Sequence, residues 1–194
     1  QGLEKRRFDT LDYDRDAITD ICHGSVARLG IDDAFVMLIA TRGTPMGPNK
    51  DLRTCKNRLI AWATPYHAIV SDAEMANGCD VVVADTIRIP SDAVDPTVKN
   101  FGRLDFVAAL FEAYDRDADY AVLLDDEGCV TEGRGWNIFA LNGGVLTSPD
   151  SGVLEGITRK TVLELSGALN IEGRLARLPV KELRGADEVF MSST

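Results

Sequence analysis

Tyr120-Ala121-Val122-Leu123-Leu124, Asp125-Asp126-Glu127-Gly128, Cys129, Val130-Thr131-Glu132, Gly133-Arg134-Gly135, Trp136-Asn137-Ile138-Phe139-Ala140-Leu141, Asn142-Gly143-Gly144, Val145-Leu146-Thr147 is the stretch whose reading decides the fold. Short runs of branched and aromatic residues alternate with clusters of Asp, Asn and Gly, the pattern of antiparallel hairpins. Tyr120–Leu124 and Val130–Glu132 are predicted to pair across the acidic tetrad, and Trp136–Leu141 and Val145–Thr147 across Asn142-Gly143-Gly144. Three adjacent acids suggest calcium, but calcium loops space their ligands at alternate positions, so a solvated turn is the better reading.

Helical patterns flank this sheet. Towards the C-terminus, Gly156 to Leu169 reads as a helix with Thr158 near its start and Val162, Leu163, Leu165 and Leu169 as its buried stripe, and Glu188 to Ser193 as a last apolar strand. Towards the N-terminus, a helix is expected from Leu104 to Ala118, preceded by a strand over Asp80–Asp85 and a Pro90/Pro96-punctuated stretch leading to Lys99. Arg15 to Leu29 reads as an amphipathic helix stopped by Gly30. Ala34–Thr41 and Arg58–Thr64 read as buried strands, and the Gly- and Pro-rich segment between them as a lid-like loop. The class is mixed α/β. A chain that starts in a charged segment and stops on a strand reads as truncated at both ends.

The 194 residues are enough to bury a core, and the net charge of −10 disfavours nucleic acid, whose phosphates an acidic surface repels. Cys22, Cys55, Cys79 and Cys129 are far apart and suggest neither a zinc site nor a disulfide framework. No stretch approaches the roughly 20 apolar residues that span a bilayer, so a cytoplasmic protein without a membrane partner is expected. The phosphate loop, the His-Glu-x-x-His zinc motif and the Gly-x-Ser-x-Gly elbow are absent, and Gly133-x-Gly135 fails as a dinucleotide fingerprint because position 138 is Ile.

Four segments remain: Asp95-Pro96-Thr97-Val98-Lys99-Asn100, Thr131 to Phe139, Gly152 to Lys160, and Phe190-Met191-Ser192-Ser193-Thr194. In order and spacing they resemble the class IV aminotransferases, the fold-type-IV pyridoxal-phosphate enzymes. That family includes branched-chain aminotransferases, D-amino-acid transaminases, (R)-selective amine transaminases and aminodeoxychorismate lyase. The resemblance implies that residues 1–90 are the end of the small N-terminal domain with its connecting segment, and residues 91–194 the incomplete large cofactor-binding domain. It implies pyridoxal 5′-phosphate held by Lys99 as a Schiff base, with Glu132 on the pyridine nitrogen and Ile157, Thr158, Ser193 and Thr194 around the phosphate. Asn137 and Arg159 match supporting positions. It further implies a homodimer and a ping-pong exchange between an amine or amino acid and a 2-oxo acid, with a pyruvate-releasing lyase or a non-catalytic remnant as rivals.

The residues fit these roles physically. A lysine amine attacks a carbonyl only when unprotonated, so it needs a cleft rather than a solvated helix face. A carboxylate facing a ring nitrogen keeps that nitrogen protonated. The free amides opening a helix suit a phosphate, and Thr158 is read as a donor or as the N-cap. Branched-chain enzymes usually carry tyrosine five positions after the lysine, where Leu104 stands. Asp105 at the next position looks more like the (R)-amine transaminases, which usually have tryptophan where Arg103 stands. The substrate expectation therefore leans towards an (R)-amine or D-amino acid.

Overall fold

The computed structural model describes residues 2–9, 11–48 and 50–193. They form two compact units that divide between Ile69 and Val70.

In the first unit a short helix, α1 (Gly2–Lys5), precedes α2 (Arg15–Leu29). Asp14 caps α2, its carboxylate accepting from the Ala17 N–H at 2.8 Å, and Gly30 ends it in the left-handed conformation at φ 75. β1 (Ala34–Thr41) and β2 (Arg58–Pro65) pair antiparallel, from Ala34 opposite Pro65 to Thr41 opposite Arg58. Neither strand is buried as the sequence reading expected: β1 is mostly half-buried and β2 alternates exposed and half-buried residues, the pattern of a sheet with one face towards solvent, while α2 packs against both strands.

In the second unit, α3 (Asp72–Asn77) opens on a capping box between Ser71 and Glu74. The sheet that follows has the order β3 (Val81–Ile87), β4 (Tyr120–Leu124), β5 (Val130–Gly133), β6 (Trp136–Asn142), β7 (Val145–Pro149) and β8 (Glu172–Ala176), with β9 (Glu188–Ser192) on β6. Among the described strands, β3–β4 and β7–β8 pair in parallel and the other pairs are antiparallel. β3 runs two residues beyond the expected Asp85, to Ile87, and its pairing with β4 ties it to the second unit, although the resemblance put the domain boundary at 90/91.

β6 is a fork. Its start pairs with β5 through Asn137 and Glu132, its end with β7 through Ala140 and Thr147, and β9 follows its other edge from Asn137–Ser192 to Leu141–Glu188. Between the prongs the Ile138 carbonyl accepts from Ser148 Oγ at 3.0 Å. Gly143 and Gly144, both at positive φ, make the tight turn from β6 to β7.

β4 is apolar throughout because both of its faces are covered. Ala121 and Leu123 pack with Ala84 and with Phe106, Ala109 and Ala113 of α4 (Leu104–Tyr114), while Val122 packs with Val130, Trp136, Ile138 and Leu178. α4 stops at Tyr114 rather than at the expected Ala118, since Asp117 turns left-handed at φ 54 and the Ala118 N–H closes back onto the Ala113 carbonyl. Of the expected stripe on α5 (Ile157–Ala168), Val162 and Leu163 are half-buried, whereas Leu165 is 56% exposed and Leu169, the C-cap, 69%. The helix instead buries Arg159 and Ser166, and a Cβ on Gly173 of β8 would lie 2.4 Å from Ser166 Oγ, so small residues set the contact. The short helix α6 (Val180–Arg184) then leads into β9. No helix among the described residues is long and apolar enough to cross a membrane.

Candidate active site

Because residues facing each other across an antiparallel pair share a sheet face, the register Glu132–Asn137–Ser192 lays three polar side chains in one row across β5, β6 and β9. All three are buried, Glu132 to 6% exposure. Buried polar groups need partners. Glu132 Oε2 accepts from the Leu154 N–H at 2.9 Å and from Asn137 Nδ2 at 3.3 Å, and Asn137 Nδ2 also donates to the Leu154 carbonyl at 2.9 Å. Asn137 therefore positions Glu132. A Cβ on Gly156 would come within 2.3 Å of Asn137 Oδ1, and one on Gly133 within 2.1 Å of the Trp136 ring, so both glycines are dictated by close approach.

Glu132 Oε1 faces Arg88 Nη2 at 3.5 Å, and Arg88 Nη1 pairs with Asp105 Oδ2 at 2.5 Å. Asp105 is fixed in turn by the N–H groups of Ile89 and Phe106, and the Arg88 guanidinium lies 4.3 Å from the Phe106 ring centre. Burial pushes the Glu132 carboxyl above its ordinary value, against the opposing pull of the Leu154 N–H, Arg88 and Arg103. Arg88 Nε and Ser192 Oγ are buried with no partner among the described residues.

Lys99 is exposed and lines the same recess as Arg88, Arg103, Phe106, Glu132 and Leu154. Its loop is braced locally. Asp95 Oδ1 accepts from the Thr97 N–H at 2.9 Å and hydroxyl at 2.6 Å, and Asn100 bridges the Val98 carbonyl and the Gly102 N–H. Burial of Val98, at 6% exposure, anchors the residue just before the lysine.

Gly156, not Thr158, is the N-cap of α5, and it supplies no side-chain cap to the first amides of the helix. Ile157 is 79% exposed and Thr158 half-buried. Ser193 donates its hydroxyl to the Gly135 carbonyl at 2.8 Å, tying the end of β9 to the β5–β6 turn. Thr194 lies outside the described residues. Arg159 is buried away from the recess: its Nε donates to Ser148 Oγ at 2.9 Å and its Nη2 to the Pro149 carbonyl, plugging the fork of β6.

The structure thus brings Lys99, Glu132 and Asn137 together and adds Arg88, whose part in the site no sequence pattern announced. Arg88 stands alone in a segment that ends on Pro90, and its pairing with Asp105 and Glu132 arises only when β3, α4 and β5 meet.

The family described as amino-transferase class IV matches residues 5–194. A Methanocaldococcus jannaschii protein named as a putative branched-chain-amino-acid aminotransferase is 35% identical over 166 residues, which are 84% of this chain and 56% of that protein. The crystal structure of an Escherichia coli branched-chain amino acid aminotransferase superposes with a TM-score of 0.92 at 28% identity, covering 100% of this chain and 64% of that one. The structure of a branched-chain aminotransferase from the archaeon Thermoproteus uzoniensis with norvaline gives a TM-score of 0.89 at 27% identity, with coverage of 100% and 64%. The chain accordingly spans less than two thirds of the length of these relatives, and over that span it belongs to the class IV aminotransferase family, with the fold-type-IV architecture.

Proposed function

We propose that this chain carries the cofactor-binding part of a pyridoxal-phosphate-dependent transaminase that exchanges an amino group between a branched-chain amino acid and a 2-oxo acid. The observation that carries the proposal is the buried Glu132, held by the Leu154 N–H, Asn137 and Arg88 in the recess that Lys99 lines. The donor set fits the cofactor: a fixed carboxylate for a ring nitrogen, an amine for an aldehyde, and the uncapped amides of Ile157 and Thr158 for a phosphate, with Ser193 as a further phosphate contact. When bound, pyridoxal phosphate supplies an electron sink that acidifies the substrate Cα–H.

The protein groups then divide the work. Glu132 holds the proton on the ring nitrogen, and Arg88 and Asn137 fix the carboxylate that does so. With the cofactor in place, Lys99 Nζ would be the base that takes the proton from the substrate Cα and the acid that returns one. The branched-chain assignment is supported by the names of the relatives. A second reading, an (R)-amine or D-amino acid donor, is favoured by the departure at Leu104, which is 81% exposed, and by the buried Asp105. Full-length protein given L-leucine, D-alanine or (R)-1-phenylethylamine with 2-oxoglutarate, and assayed for glutamate, separates the two. Lys99→Ala is expected to lower turnover with the preferred donor by about a thousandfold. Full turnover in that variant would remove the assignment.

A homodimer belongs to the same proposal. Its support is the apolar stripe of Leu104, Val107, Phe111 and Tyr114, spaced along one side of α4 and exposed on the chain by itself.

A further inference from the structure

We propose that Arg103 is the carboxylate-binding residue of this site: its guanidinium receives the carboxylate of an amino acid or 2-oxo acid and selects such substrates over amines that lack one. The inference deepens the transaminase reading, on which it rests for the identity of the substrate.

Two guanidinium groups lie over the Phe106 ring, Arg88 at 4.3 Å and Arg103 at 5.3 Å from its centre. Arg88 is matched by carboxylates, Asp105 at 2.5 Å and Glu132 at 3.5 Å. Arg103 is half-buried in the same recess as Lys99 and Glu132, and among the described residues it makes no hydrogen bond and no ion pair. A partly desolvated cation without a counter-ion is a standing cost, one that an incoming anion removes. Local charge points the same way. Arg88, Lys99 and Arg103 line the recess with Glu132, and Asp105 pairs with Arg88 beside it, an excess of positive charge within a chain of net charge −10. Burial lowers the Arg103 guanidinium from its ordinary value; Glu132 and Asp105 pull it back up, while Arg134 and Arg88 push with the burial.

Local structure alone gives Arg103 no reason to be where it is. It is the N-cap of α4, at φ −130 and ψ 27, and makes no capping bond. That position favours Ser, Thr, Asp or Asn, whose oxygens accept the free helix amides, and it disfavours a cation because the helix dipole is positive there. Its stacking on Phe106 duplicates a contact that Arg88 already makes. A residue that breaks a local rule without structural gain marks a functional position, and the planar guanidinium fork matches a carboxylate. The residues proposed for the cofactor phosphate, at the start of α5, leave Arg103 for the substrate.

The test is calorimetric titration of the full-length holoenzyme with 4-methyl-2-oxopentanoate, and with 4-methylpentan-2-one as a probe of similar shape lacking the carboxylate. Arg103→Met and Arg103→Gln remove the charge while keeping an unbranched side chain, and Arg103→Lys keeps the charge. Expected is a rise of about tenfold to a hundredfold in the Kd for the oxo acid in the Met and Gln variants, partial recovery in the Lys variant, and no change for the ketone or in the affinity for pyridoxal phosphate. Unchanged oxo-acid affinity in the Met and Gln variants, a wild-type protein that does not bind the oxo acid, or a loss confined to pyridoxal phosphate would each overturn the assignment. Arg103-dependent binding of the oxo acid by an enzyme that transfers no amino group would uphold Arg103 and refute the transaminase reading. An active transaminase indifferent to Arg103→Met would do the reverse.

Discussion

Asp105 and Glu132 share one guanidinium, and this arrangement makes each of them sensitive to the other's loss. Asp105→Asn leaves buried Arg88 with Glu132 alone at 3.5 Å, and breaking such a pair from one side costs about 3 kcal/mol, which a shift in the urea midpoint would register. Glu132→Gln has a different signature. The neutral amide keeps the shape of the site but cannot hold a proton on a ring nitrogen, so cofactor binding is expected to survive while turnover falls by about a hundredfold or more. A fully active Glu132→Gln enzyme would remove that role. The glycines are stricter still. In Gly133→Ala the new methyl would sit 2.1 Å from the Trp136 ring, and the overpacking should cost about 2–3 kcal/mol and alter the near-ultraviolet signal of that tryptophan.

Among the elements, β3 is joined to α4 by the packing of Ala84 on Phe106, Ala109 and Ala113 and by one carboxylate. Where the β3–β4 register shifts between Val83 and Ile87, Glu112 accepts from the N–H groups of Asp85 and Thr86 at 2.6 and 3.0 Å and from the Thr86 hydroxyl. Burial alone would raise the Glu112 carboxyl, but these bonds and Arg116 hold it below its ordinary value. A depressed folded value contributes stability above the unfolded value and loses it as the pH falls through the folded one. Glu112→Gln should therefore cost about 1–2 kcal/mol at neutral pH and almost nothing once the medium is acidic enough to protonate the folded carboxyl, as paired thermal melts would show. Elements with strong turn chemistry were readable from sequence to within a residue or two: α2 between Asp14 and Gly30, and β6–β7 around Gly143-Gly144. β8 escaped notice because Glu172-Gly173-Arg174-Leu175-Ala176 has no apolar alternation and owes its extended form to the β7 backbone beside it. α6 has only five residues, too few for a helical period, whereas the Ser71–Glu74 box that opens α3 is a start signal carried by the sequence itself. In the candidate site, Lys99 and Glu132 were legible only through the family resemblance that the four segments carry, since a lone lysine in a loop and a hairpin-end carboxylate are otherwise ordinary surface residues. Arg88 and Arg103 were not legible, since a cation's partners, or its lack of them, are decided by elements far apart in sequence.

At the scale of the molecule, the exposed stripe of α4 predicts association. Phe111→Lys, at a position 63% exposed on the isolated chain, should shift full-length protein from dimer to monomer in sedimentation velocity without changing its fold. The fork of β6 has a consequence for isotope exchange. A strand bonded along both edges, with its one gap closed by Ser148 and Arg159, offers deuterium no local opening. The amides of Phe139 and Leu141 should therefore exchange only through complete unfolding of the second unit, while those of β8 at the sheet margin exchange by fraying. The decay of the Phe139 amide signal would then report the global free energy of unfolding, and Arg159→Leu, by unplugging the fork, should speed that decay far more than it speeds exchange in β8.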